Sequence, residues 1–258
     1  MIYQVSGNEK IKTLFGEWQE SMIWSCLQGV MGSFYADSED DPKSAMAIVG
    51  DFGFLAGEPN RELVAYREAW RNEGFIIITA ISPDWFRLIE EVFPEQAKKV
   101  TRYAIKKEPE VFNRENLLRL AGTVAKEFHI QLIDQDIFER CKEQEWSRDL
   151  VGQFQDYAHF QKLGVGVVAI KNGEIASGAS TYSRYRDGIE VEIDTKEEYR
   201  HQGLATACGA RLLLECLDRG LYPSWDAQNL WSVAIAEKLG YHVDHAYTAY
   251  EIDGRQVK

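Results

Sequence analysis

Three carboxylates, Glu190, Glu192 and Asp194, alternate through the stretch "EVEIDT". If this stretch is a strand, its period of two sets all three on one face. Crowded like charges raise a carboxyl pKa, which suits a general base working near neutrality. A solvated strand face is the plainer explanation of such a row. Glu192 is the first choice of base and Glu190 the second. Shortly after it, "YRHQGLATACGARLL" (199–213) puts Arg200, Gly203 and Ala205 where an apolar helical pattern begins. A glycine in a helix's first turn lets a ligand approach the backbone, and the free N–H groups there attract anions. The turn from Arg200 to Ala205 is therefore a candidate diphosphate cradle. No GK[ST] follows and no GxGxxG is present, so neither a Walker loop nor a dinucleotide fingerprint fits.

These residues need elements to hold them. "VGVVAIKNGEIASGASTYSRYRDGIEVEIDT" predicts three strands broken at Asn172-Gly173 and Asp187-Gly188, dipeptides that tolerate the positive φ of a tight hairpin. A helix over 202–219 follows, then "YPSWDA" as a strand, "NLWSVAIAEKLG" as a helix and "YHVDHAYTAYEI" as closing strand structure. The order is an antiparallel meander running into a βαβ unit. Ahead of it, "ENLLRLAGTVAKEF", "QDIFERCKEQEW" and "RDLVGQFQDYAHFQKLG" read as helices, with "IQLID" a short strand. The first hundred residues read as a separate α/β unit. Apolar spacing predicts one helix over 11–30, strands at "AMAIVG", "DFGFLAG" and "EGFIIITAIS", and a helix at "PNRELVAYREAW". The polar stretch "KKEPEVFNREN" with Pro109 predicts a boundary, giving domains 1–112 and 113–258.

The 258 residues, with 45% hydrophobic and 27% charged, fit an ordinary soluble globular protein. No leader-like apolar run opens the chain and no stretch approaches a membrane span, so a cytoplasmic protein without a membrane partner is expected. A net charge of −12 argues against nucleic acid and mildly favours an amine-bearing ligand. Cys26, Cys141, Cys208 and Cys216 form no CxxC pair and read as buried thiols in a reducing compartment. His242 and His245 fall on opposite faces of a strand pattern, so no metal is expected. "VVAIK" (167–171) and "DFG" (51–53) look like kinase signatures but stand in the wrong order, without a catalytic loop.

The pattern Arg/Gln-x-x-Gly-x-Gly/Ala, after an acidic strand and before "N…KLGY", resembles the GNAT acetyltransferase superfamily. The resemblance covers about residues 120 to 250, with "EVEIDTKEEYRHQGLATA" and "WDAQNLWSVAIAEKLGY" as its two CoA motifs. The whole chain is similar to the subfamily that includes zwittermicin A resistance acetyltransferases. The resemblance implies an α/β (α+β) GNAT fold. A mixed, mostly antiparallel central sheet would lie in the C-terminal half, after an N-terminal α/β domain. Both CoA motifs lie beyond residue 185, so a substrate-shaping part is the expectation for that domain, whose role the sequence does not set. It implies acetyl-CoA as co-substrate and a small-molecule primary amine as acceptor, antibiotics included. Backbone groups of Gln202, Gly203, Leu204, Ala205 and Thr206, with Arg200, would hold the diphosphate. Backbone groups of Ile193 and Thr195 would pair with the pantetheine arm, and Asn229 of the second CoA motif would also bind the cofactor. An N–H near Ile193 would polarise the thioester carbonyl. Seven residues after Asn229 the superfamily often has a tyrosine that protonates the leaving thiolate; here it is Ala236, which leaves room for a larger acceptor. Ser232, one turn earlier on the same helix face, is then the first candidate proton donor, with Tyr241 and Tyr247 the others, and a structural role is the plainer reading of each. A non-catalytic acyl-CoA sensor is the alternative function. The acceptor's identity and the oligomeric state are not set by the sequence.

Overall fold

The computed structural model describes residues 1–70 and 74–254. They form two compact units: Met1–Arg102 with Ala246–Lys258, and Tyr103–His245. The boundary expected at 112/113 falls inside the second unit, and the closing strand returns to the first.

Unit 1 opens with β1 (Tyr3–Val5), α1 (Glu9–Phe15) and α2 (Ser21–Leu27). The single helix expected over 11–30 is thus two. Gly16, at φ 57°, stops α1 in a conformation only glycine adopts readily, and the Glu20 carboxylate caps α2 at the Met22 N–H. Next come β2 (Ser33–Ala36), β3 (Ser44–Val49), β4 (Phe52–Gly57), α3 (Arg61–Val64), β5 (Phe75–Ala80), α4 (Pro83–Val92) and β6 (Ala97–Ile105), whose residues from Tyr103 on belong to unit 2. The helix expected at 59–70 shrinks to the single turn of α3 and a 3₁₀ turn. Strands β1 to β4 pair antiparallel in sequence and β4 pairs parallel with β5. Met46, Ile48, Leu55, Ile76, Ile78 and Trp85 build a core of this unit's own.

Unit 2 holds α5 (Arg114–Ala121), β7 (His129–Leu132), α6 (Gln135–Glu143), a 3₁₀ stretch at Glu145–Leu150, and α7 (Tyr157–Leu163). The meander follows as β8 (Gly166–Lys171), β9 (Glu174–Tyr185) and β10 (Gly188–Thr195), then α8 (Leu204–Asp218), β11 (Tyr222–Ser224), β12 (Asp226–Ala227) and α9 (Leu230–Leu239). The last strand, β13 (Val243–Asp253), pairs its end antiparallel with β5. The helix expected over 148–164 survives only as α7.

The sheet order β11-β10-β9-β8-β7 is antiparallel except for the parallel β10–β11 pair, the mixed α/β arrangement expected. The two hairpins differ from expectation in an instructive way. Asn172 (φ 50°) and Gly173 (φ 82°) do form a turn of positive φ. Gly188 instead lies within β10, where a Cβ would sit 2.1 Å from the Tyr222 carbonyl and 2.3 Å from the Tyr185 hydroxyl. That glycine is required for close packing, not for the turn. Ile189, Val191 and Ile193 turn one face of β10 to a core built with Leu204, Cys208, Leu212, Leu239 and Tyr241. No described helix is long and apolar enough to cross a membrane.

Candidate active site

Along β10 the hydrogen-bond parity is fixed by two observations. The Tyr222 N–H donates to the Asp187 carbonyl, and the Lys196 N–H donates to the Ala176 carbonyl just beyond the β9 pairing. Alternation then aims the backbone groups of the odd residues, Val191, Ile193 and Thr195, at the β11 side. β11 stays beside β10 only as far as Ser224 opposite Glu190. The single strand expected at "YPSWDA" breaks at Trp225. Asp226 and Ala227 pair instead with Ala104 and Tyr103 of β6. The two strands therefore part after Glu190. A wedge opens whose β10 side presents the backbone of Ile193 and Thr195. An opposite distortion starts at the same level, since the β9–β10 register slips between Glu190 and Val191, with Tyr182 the extra residue.

The exposed edge is covered by side chains of its own neighbourhood. Glu192 Oε1 accepts from the Ile193 N–H at 3.1 Å and Asp194 Oδ1 from the Thr195 N–H at 2.6 Å. Arg200 Nε donates to the Thr195 carbonyl at 3.2 Å. An unpaired strand edge invites another extended chain, and these contacts occupy it. Any ligand that pairs with Ile193 and Thr195 has to displace them.

The acidic face is graded by depth. Glu190, 3% exposed, stands opposite Ser183 of β9 and Ser224 of β11. Glu192 and Asp194 are half-buried at the open part of the strand. Burial raises the Asp194 carboxyl above its ordinary 3.8; the Thr195 N–H and Arg200 pull it back, and Asp149 pushes it up again. The Ser183 hydroxyl is buried without a hydrogen-bond partner, a feature no sequence signal marked.

The turn into α8 answers why a basic residue and a glycine precede a helix. Gly203 is the N-cap at φ 79°, and His201 is also left-handed at φ 61°. A Cβ on Gly203 would meet nothing within 4 Å, so the space before the helix is open. No side chain caps α8, and the N–H groups of its first turn point into that space. Gln202 reaches the Glu198 carbonyl at 3.4 Å. The turn is braced from behind: Lys196 pairs with Glu174 and Glu198, and Tyr199 Oη donates to Glu174 at 2.8 Å.

At α9 the Asn229 side chain is the N-cap, accepting from the Trp231 and Ser232 N–H groups. Ser232 Oγ accepts from the buried Trp225 indole at 3.0 Å, which leaves its own proton to donate. Tyr241 is a core residue, its hydroxyl on the Pro223 carbonyl at 2.6 Å. Ala236 is fully buried among core side chains. His242 and His245 each face a carboxylate, Glu108 and Asp244. Among the described residues no group of three His, Cys, Asp or Glu is placed to hold a metal.

The sheet thus splits after Glu190, beside a helix whose glycine N-cap makes no side-chain capping bond. The GNAT acetyltransferase family model matches residues 12–250, and the chain belongs to that family of acyltransferase enzymes, whose co-substrate is acetyl-CoA. It is 26% identical to the uncharacterized N-acetyltransferase YdfB of Bacillus subtilis (strain 168), over 93% of this chain and 94% of that one. The structure is similar to a GCN5-related N-acetyltransferase-like protein from Streptococcus suis 89/1591 (TM-score 0.89, 48% identity, 94% of this chain and 96% of that one). A GNAT-family acetyltransferase from Colwellia psychrerythraea shares the fold at 11% identity (TM-score 0.54, 98% of this chain and 100% of that one).

Proposed function

We propose that unit 2 moves an acetyl group from acetyl-CoA to the primary amine of a small molecule, with antibiotics the first acceptor class to try. The likeness to zwittermicin A resistance acetyltransferases motivates that class. The wedge between β10 and β11 carries the reading, because it sets the strand edge of Ile193 and Thr195 beside the first turn of α8. The diphosphate lies on the N–H groups of Leu204, Ala205 and Thr206, with Gln202 and Gly203 before them. The pantetheine arm adds to the β10 edge as a strand would, displacing Glu192, Asp194 and Arg200 from their backbone partners. The Ile193 N–H then holds the thioester oxygen where negative charge develops.

The amine nitrogen attacks the thioester carbon, the C–S bond breaks, and the thiolate leaves with its electron pair. Glu192, freed from the Ile193 N–H, takes the proton the amine loses. Glu190 is the second choice because it is almost fully buried. A thiol of pKa about 8.5 leaves with little proton assistance, so no tyrosine is needed at position 236. Water supplies the thiolate's proton afterwards, with the Ser232 hydroxyl relaying one from solvent as it passes its own on through a water, and Glu192 returns its proton to solvent. Four buried free thiols support a reducing cytoplasm as the setting.

The test is a panel of amines, aminoglycoside-like and polyamine compounds among them, screened for release of free CoA. Turnover with one or more small amines supports the reading. Tight acetyl-CoA binding without CoA release from any amine would establish the sensor alternative instead.

A further inference from the structure

The first turn of α9 lies beside the turn that leads into α8, and two aromatic rings mark the meeting. Trp231, second in α9, is 75% exposed, an extreme value for an indole. Its ring centroid is 6.2 Å from that of His201, with the planes at 70°. The backbone of each is pinned. Asn229 accepts from the Trp231 N–H, and His201 stands at φ 61° two residues ahead of Gly203. Leu230 next to it is 65% exposed. An indole and a leucine exposed side by side, next to an uncapped helix N-terminus, offer a contact for a flat, apolar part of a ligand.

The chemistry of the neighbouring cradle says which one. A diphosphate on the N–H groups of Leu204 to Thr206 sends its pantetheine arm along β10. Its other end, a ribose and a purine, has to leave on the opposite side, toward solvent. His201 precedes the cradle directly and holds Trp231 edge-on. A purine is flat, apolar on both faces and rich in π-electrons, and an indole held by few rotatable bonds stacks on it at low entropic cost. We propose that Trp231, buttressed by His201, is the stacking platform for the purine ring. The enzyme would then select free acyl-CoA over pantetheine thioesters that lack a nucleotide, such as those borne by carrier proteins. The proposal rests on acyl-CoA occupying the α8 cradle, and it adds the residue that decides the class of carrier.

The experiment measures binding to the full-length parent, Trp231→Ala and Trp231→Phe by calorimetry. The probes are acetyl-CoA and acetyl-4′-phosphopantetheine, which lacks the 3′-phosphoadenosine and one phosphate of the diphosphate. The indole is exposed, so its truncation leaves the core intact. Trp231→Ala should weaken acetyl-CoA binding about tenfold or more, the usual worth of one base–aromatic stack. Trp231→Phe should recover most of the loss, and neither change should alter binding of the smaller probe. Equal acetyl-CoA affinity in Trp231→Ala and parent would overturn the platform, as would equal losses for both probes. So would a parent that self-associates through this patch, seen by sedimentation as a dimer dissociated by Trp231→Ala with acetyl-CoA affinity unchanged. A parent that binds neither probe would refute the acyl-CoA reading itself, a failure distinct from an indifferent Trp231.

Discussion

Glu192 has two tasks that exclude each other in time. Without ligand its carboxylate holds the Ile193 N–H; in the proposed mechanism it serves as the base once a thioester lies there. Glu192→Gln keeps an acceptor for that N–H but cannot take a proton. Turnover should therefore fall by roughly 10²–10⁴-fold at neutral pH, with acetyl-CoA affinity nearly unchanged. Steady-state rates beside calorimetric affinities check this. An unchanged rate, with a dead Glu190→Gln enzyme, would move the base two residues back. Asp194 makes a pH argument. Its raised carboxyl keeps a proton in the folded state that the unfolded chain has already released. Folded protein then binds more protons just above the ordinary value, so this residue's contribution to stability falls as pH rises through that window. Asp194→Asn retains the bond to the Thr195 N–H and removes the titration. Urea midpoints from about pH 4 to pH 6 should vary less in this variant than in the parent.

Helix α8 begins on a residue chosen for its backbone. At φ 79° a side chain at Gly203 costs conformational energy, yet nothing within 4 Å would obstruct it. Structure and binding can thus be separated. Gly203→Asn, tolerant of left-handed geometry, should lose little stability, whereas Gly203→Val should lose about 1–2 kcal/mol or more. Both place atoms where the proposed cradle would take the diphosphate, so on that proposal both should lose most acetyl-CoA binding. A Gly203→Val protein that binds acetyl-CoA as the parent does would remove the cradle from this turn. Gly188 looks similar in sequence and does something different. Its missing side chain lets β10 lie close under the Tyr185 hydroxyl and the Tyr222 carbonyl.

Over the whole molecule, a ligand bound only by folded protein shifts the unfolding equilibrium. Acetyl-CoA at about 100 times its Kd should add about 2.7 kcal/mol and raise the melting temperature by roughly 5–10 °C. Thermal scans with acetyl-CoA and with adenine alone check this, and no shift with acetyl-CoA would sink the co-substrate assignment. Each unit carries its own core.

The amino-acid sequence determined the order of elements in unit 2, the helix expected over 202–219, which opens at Leu204 with Gly203 as its cap, and the alternation of Glu190, Glu192 and Asp194 against Ile189, Val191 and Ile193. These follow from local periodicity and from backbone preferences carried by single residues, so a linear reading reaches them. It did not reach the break of α1 from α2, the strand β6, or the return of β13 to unit 1, because apolar spacing says nothing of which partner a segment pairs with. The split of "YPSWDA" between β10 and β6 belongs to the same class. It opens the wedge, and it depends on a neighbour about 120 residues away in the chain. Only the tertiary structure decided that Glu190 is buried while Glu192 stands at the open edge, since period two makes them equivalent. Burial depends on where the neighbouring strand ends, and that is a long-range fact.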